Sequence, residues 1–165
     1  MTVAGPAAGG GAAVVGIGVD AVDVDRLRRV LERRPGMVDR LFTDGERAYA
    51  RRAADPVPRM ATRFAAKEAA MKALGVGLGA VRFDEVEVVR PGLDAPRLVL
   101  HGAAAERARR SGVDRWHLSL THTDALAMAF VVAEGPGSPT DVPTGSPTGP
   151  VPGGAPDATP AAPTS

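Results

Sequence analysis

The chain of 165 residues contains no cysteine. Disulfide crosslinks, thiolate nucleophiles and thiolate-bound metals are therefore excluded, and a reducing compartment fits that absence. Neither sign of charge prevails. Lys+Arg number 20 against 19 Asp+Glu, for a formal net charge of +1. Composition thus gives no argument for nucleic acid or for an anionic membrane surface. No apolar run approaches the roughly 18 residues that cross a bilayer. The opening "MTVAGPAAGGGAAVVG" lacks a basic stretch followed by an apolar one, so no signal peptide is expected and a soluble cytoplasmic protein is. Large apolar side chains are scarce at both ends. Residues 1–12 are rich in Gly and Ala and read as a flexible segment. Residues 135–165, "GPGSPTDVPTGSPTGPVPGGAPDATPAAPTS", cannot offset their ordering entropy by burial and read as a disordered tail. One folded domain remains, over 13–134, and about 120 residues suffice for a core.

Within that domain "VVGIGVD" reads as a short buried strand. Asp23 and Asp25 then open a helix, where carboxylates favour the positive end of the dipole. Its apolar stripe is Val24, Leu27, Val30 and Leu31; Arg26, Arg29 and Arg33 occupy the other face. Pro35-Gly36 stops it. "TDGE", Thr43 to Glu46, matches a capping box and starts a second helix, which "DPVP" breaks. A third helix is predicted from about Arg59 to Leu74, with Phe64, Met71 and Leu74 as its buried stripe. "FDEVEVV" alternates as a half-buried strand, "RLVLH" is its partner, and "GAAAERARRSG" is a helix ending near Gly112. "WHLSL" and "ALAMAFVVAE" are strands around the turn "THTD". Helices and antiparallel strands without regular βαβ alternation indicate an α+β fold, a small antiparallel sheet packed with helices.

The third helix carries the first chemical signal, in "RFAAKEAAMKALGVGLG". Residues four apart share a helix face, which pairs Glu68 with Lys72 and Arg63 with Lys67. Lys67 and Glu68 flank the apolar seam. On helix geometry alone the Glu68–Lys72 pair reads first as a solvated ion pair. The glycines shift that reading. Gly75 serves as a helix C-cap, but Gly77 and Gly79 need another reason. Backbone without Cβ can approach a ligand closely and aim N–H groups at a phosphate. Asp20 ends the first strand. It either caps the helix that follows or, with a distant carboxylate such as Glu68, holds a hard cation like Mg²⁺. In "WHLSLTHT" alternation places His117, Ser119 and Thr121 on one face of a strand. That set suits phosphate or sugar contacts, or is simply a wet sheet face.

"GIGVD", "RFAAKEAAMKALGVGLG" and "HLSLTHT", in that order and with "FTDGE" between the first two, resemble the holo-[acyl-carrier-protein] synthase family of 4′-phosphopantetheinyl transferases. The resemblance spans roughly Val14 to Glu134. It implies that family's fold and a transfer of 4′-phosphopantetheine from coenzyme A to a serine of apo acyl carrier protein, leaving adenosine 3′,5′-bisphosphate. It places the Mg²⁺ ligands on Asp20 and Glu68, and the catalytic residues on Asp20, Glu68 and Lys72. The coenzyme contacts fall on Arg63, Lys67, Gly75, Gly77, Gly79, His117 and Thr121. It further implies a homotrimer with active sites between subunits, and a carrier protein docked on Arg26 and Arg33 of the first helix. Gly45 stands where the family more often has a polar residue, and Ala95 where it commonly has lysine before proline. The tail has no counterpart in the resemblance.

Overall fold

Three strands and one helix frame everything else. The structure is a computed structural model that describes residues 11–77 and 79–137. Strand β1 (Ala12–Asp23) runs antiparallel to β5 (Leu126–Pro136), which pairs on its other edge with β4 (Arg115–His122). The pairing begins at Ala12↔Pro136, beyond the 13–134 limits suggested by composition. A second, two-stranded sheet joins β2 (Val86–Val89) to β3 (Arg97–Leu100). The helices are α1 (Val24–Arg33), α2 (Met37–Leu41), α3 (Asp44–Ala50), α4 (Val57–Ala73) and α5 (Gly102–Arg110). The architecture is the expected α+β. The Gly/Ala-rich start and the Pro-rich tail lie, but for residues 11–12 and 135–137, outside the described residues. None of the described helices is long and apolar enough to cross a membrane.

Helix α4 is the axis of the molecule, and its sequence explains why. Ala61, Ala65, Ala66, Ala69, Ala70 and Ala73 are buried around it. Small side chains allow elements to approach on several sides. The first strand uses glycine for the same purpose. A Cβ on Gly16 would sit 1.9 Å from Ala73 O, and one on Gly18 would sit 1.8 Å from Ala69 O. Two strand residues advance about 6.6 Å and four helix residues about 6 Å. The inward positions of β1 therefore step down α4 one turn at a time, and Asp20 is the next in the row. On β5 the inward side is Ala127, Ala129, Val131 and Ala133, all buried.

Local signals set the ends of the elements. Asp23 caps α1, its Oδ1 accepting from Arg26 N at 2.7 Å. The capping box of α3 is intact. Thr43 Oγ1 accepts from Glu46 N at 3.2 Å, and Glu46 Oε2 accepts from Thr43 N at 3.0 Å. Gly45 leaves that helix start in order. A Cβ there would stand 3.0 Å from Glu87 Oε1, the atom that accepts from Thr43 Oγ1 at 2.8 Å. Helix α4 closes in a Schellman turn, with Val76 N bonded to Met71 O, Gly75 N to Lys72 O and Gly75 at φ +64°. Four elements differ from the sequence reading. Strand β1, expected to be short and buried, runs 12 residues and leaves Ile17 and Val19 exposed. Helix α2 forms directly after the Pro35-Gly36 stop. Helix α3 ends at Ala50, well before "DPVP". Residues Phe83–Glu85 make a 3-10 turn before β2 instead of its first residues.

Candidate functional site

Between Met60 and Met71, helix α4 is buried at every position except Phe64 and Glu68. Continuing by four residues reaches Lys72, which is exposed. Phe64, Glu68 and Lys72 thus form the open strip of α4 beyond its half-buried first residues. Glu68 is the single carboxylate of α4.

Asp20 faces this strip from β1. Its Oδ1 accepts from Lys72 Nζ at 2.7 Å, and Val19 O accepts from the same ammonium at 3.0 Å. The Asp20 side chain is 16% exposed and that of Lys72 51%. Because Asp23 performs the capping of α1, that explanation for Asp20 falls away. Burial and then the nearby Asp20 carboxylate push Glu68 above the usual carboxylate range, while Lys72 pulls it down. Two carboxylates with one ammonium between strand and helix leave negative charge that a cation can neutralise. Among the described residues no group of three or more His, Asp or Glu could cage a metal. The donor set fits Mg²⁺ nonetheless, because that ion takes hard oxygens and usually keeps positions for water and phosphate.

The glycine segment follows directly from α4. Gly75 and Gly77 line a groove of about 420 Å³ with Val76, Ala80, Arg107 and Arg110. Gly79, at φ +90°, lines a cavity of about 820 Å³ with Met37, Leu41, Val81, Phe83 and the arginines 34, 40 and 82. Phe83 stacks on Phe64 with centroids 5.2 Å apart, so this cavity borders the open strip. Asp20, Glu68 and Lys72 line neither hollow; they stand on an open shelf beside them.

Two predicted coenzyme contacts point elsewhere. Lys67 is 0% exposed and ion-paired to Glu46 at 2.7 Å. It also donates to Phe83 O at 2.8 Å and Val86 O at 2.6 Å. Burial pushes its ammonium below the ordinary value while Glu46 opposes this. All three donors are spent inside the fold, so Lys67 is corrected from a ligand contact to an internal anchor. Arg63, one turn earlier, is also buried; its guanidinium lies 3.9 Å over the Tyr49 ring and donates to Arg59 O. Among the described residues its Nε has no partner. Both residues occupy the helix face turned from Glu68.

His117 and Thr121 lie across the sheet. Along β4 the residues His117, Ser119 and Thr121 are exposed and Leu118 and Leu120 half-buried. Asp20 faces α4, so a single chain holds the carboxylates and the strand polar groups on opposite faces of one sheet. His117 Nε2 lies 2.9 Å from Glu134 Oε2. The outer face also presents apolar residues: Ile17 is 57% exposed, Phe130 44%, and Val19, Leu126 and Met128 are exposed as well. Register sets Val19, Phe130 and Ser119 side by side. Among the described residues nothing covers that contiguous apolar surface.

The 4′-phosphopantetheinyl transferase superfamily matches this chain over residues 16–131, which takes in all of α4 and β4 and parts of β1 and β5. The chain belongs to that superfamily. Among similar transferases, the holo-[acyl-carrier-protein] synthase of Clavibacter sepedonicus is 49% identical over 123 residues, covering 74% of this chain and 98% of the relative. The solved synthase of Neisseria meningitidis is 33% identical with a TM-score of 0.67, covering 73% of this chain and 98% of that one. The synthase of Bacillus anthracis, solved in complex with CoA (3′,5′-ADP), is 32% identical with a TM-score of 0.62 over 74% of this chain and 97% of that one.

Sequence reasoning missed Glu46 as the partner of Lys67, since its capping role explained it locally. It also missed Phe83 at the wall of the larger cavity and the two arginines of α5 beside the glycine segment. Nothing in their spacing signals those contacts.

Proposed function

We propose that this transferase is a holo-[acyl-carrier-protein] synthase. It moves the 4′-phosphopantetheine group of coenzyme A onto a serine hydroxyl of apo acyl carrier protein and releases adenosine 3′,5′-bisphosphate. One observation carries the reading: the open strip of α4 holds Glu68 and Lys72, and Asp20 meets it 2.7 Å from Lys72 Nζ. The relatives named holo-[acyl-carrier-protein] synthase support it.

The serine oxygen attacks the phosphorus nearest the pantetheine, and the bond to the bridging oxygen of the pyrophosphate breaks. Asp20 takes the serine proton. Lys72, bonded to Asp20 in the free chain, turns to the leaving phosphate as charge builds there. Asp20 and Glu68 hold Mg²⁺, which supplies charge neutralisation at the pyrophosphate when bound. Gly75, Gly77 and Gly79 give the coenzyme close access to the backbone.

The assembly in this proposal is a homotrimer. The uncovered apolar sheet face supports self-association, and a neighbouring subunit can bring His117 and Thr121 to the shelf that its own fold keeps them from. Carrier protein docks on α1, where Arg26 and Arg33 are exposed; fatty-acid synthesis in the cytoplasm is the setting. The test is incubation with coenzyme A, Mg²⁺ and an apo carrier protein, read by intact mass. The carrier gains one phosphopantetheine group. Binding of coenzyme A without any mass gain makes the chain a coenzyme-binding module instead.

A further inference from the structure

We infer that Lys67 is a positioning residue whose buried bonds set the rotation of α4 and so aim Glu68 at Asp20. The inference rests on the assignment of those two carboxylates as the cation ligands. Lys67 Nζ bonds Glu46 Oε2, Phe83 O and Val86 O at 2.7, 2.8 and 2.6 Å. Glu46 in turn accepts from Val88 N at 2.9 Å and from Thr43 N at 3.0 Å. One point therefore ties α3, α4, β2 and the turn before β2.

A buried ion pair is a poor device for stability alone, because apolar replacements of similar volume often serve as well. Its value here is angular. The other side of α4 is smooth: alanines pack on Gly16 and Gly18, where backbone meets backbone. Such a surface fixes distance but resists rotation weakly. Lys67 supplies the missing catch. Successive helix residues project about 100° apart, so Lys67 locked toward β2 turns Glu68 toward β1. The same ammonium holds the Phe83 carbonyl, and the Phe83 ring stacks on Phe64 in the open strip. Both neighbours of the strip are thereby set by one side chain.

The test compares Lys67→Met/Glu46→Met, which removes both charges together, with Val113→Ala, a buried change outside this network. Folding is followed by circular dichroism. Mn²⁺ binding in the presence of coenzyme A is read by electron paramagnetic resonance, and kcat and KM are measured for coenzyme A. The folded double variant is expected to bind Mn²⁺ about tenfold more weakly or worse, with kcat lowered and the KM for coenzyme A changed less. Val113→Ala leaves Mn²⁺ binding as in the wild type. Where the double variant does not fold, Glu46→Gln, which keeps an acceptor for Val88 N, carries the same expectation. A folded variant with wild-type Mn²⁺ affinity and kcat overturns the inference, as does equal weakening by Val113→Ala. Wild-type protein that binds no Mn²⁺ overturns instead the assignment of Asp20 and Glu68, and the inference with it.

Discussion

Lys72 Nζ lies 2.7 Å from Asp20 Oδ1, across 52 residues of chain. This bond joins the last turn of the central helix to the first strand at the one place where the helix is open. Local structure does not need it: Asp23 already caps α1 and Gly75 already ends α4. The residues that meet there are the ones to which the proposed transfer assigns its chemistry.

Replacing Glu68 by Gln keeps the size and removes the charge. Turnover is expected to fall about a hundredfold or more, since the proposed site loses a carboxylate that holds the charge-neutralising cation. The Mg²⁺ concentration for half-maximal rate rises. Rates across a Mg²⁺ series, followed by carrier mass, check this; unchanged turnover at limiting Mg²⁺ removes Glu68 from the site.

The raised pKa of Glu68 gives the pH dependence a sign. Its proton and the cation compete, so half-saturating Mg²⁺ is expected to fall as pH rises through the Glu68 pKa. Stability without metal runs the other way. A carboxyl whose folded pKa lies above its unfolded value adds stability below the unfolded value, and this is lost as pH rises through the folded one. Thermal melts in chelator at several pH values, taken as the difference from Glu68→Gln, which lacks this group, measure the second trend.

Two glycines separate packing from binding. Gly18→Ala forces a Cβ to 1.8 Å from Ala69 O, a backbone atom, and is expected to cost about 3 kcal/mol or more in urea unfolding. Gly77 has open space around it. Gly77→Ala should leave stability within about 0.5 kcal/mol while raising the KM for coenzyme A, if the glycine segment receives the coenzyme. An unchanged KM takes Gly77 out of that role.

Phe130, 44% exposed, sits mid-face on the outer sheet surface between Val19 and Ser119. Phe130→Asp places a charge in the surface assigned to self-association. Sedimentation is expected to shift from trimer to monomer, with transfer activity falling in step. Wild-type protein that sediments as a monomer with full activity defeats the trimer proposal.

Much of the fold was legible. The capping box at Thr43 and Glu46, the glycine cap at Gly75 and the strand alternation of β4 depend on neighbours within a few residues, and each is present. Lys67 shows where such reading stops. Helical periodicity placed it beside Glu68 at the edge of an apolar seam. It could not tell that β2 covers that side of α4, since burial around a helix depends on elements distant in the chain. His117 and Thr121 were correctly set on one strand face, but alternation does not say which face meets the helix.

By itself the sequence determined spacings: carboxylate and ammonium four apart on α4, glycines two apart on β1, polar groups two apart on β4. Those follow from helix and strand periods, which any segment obeys without its neighbours. Only the tertiary structure decided which of these groups meet. Asp20 reaches Lys72 because Cβ-free strand backbone lies directly on an alanine helix, and that closeness belongs to the packing of segments far apart in the chain.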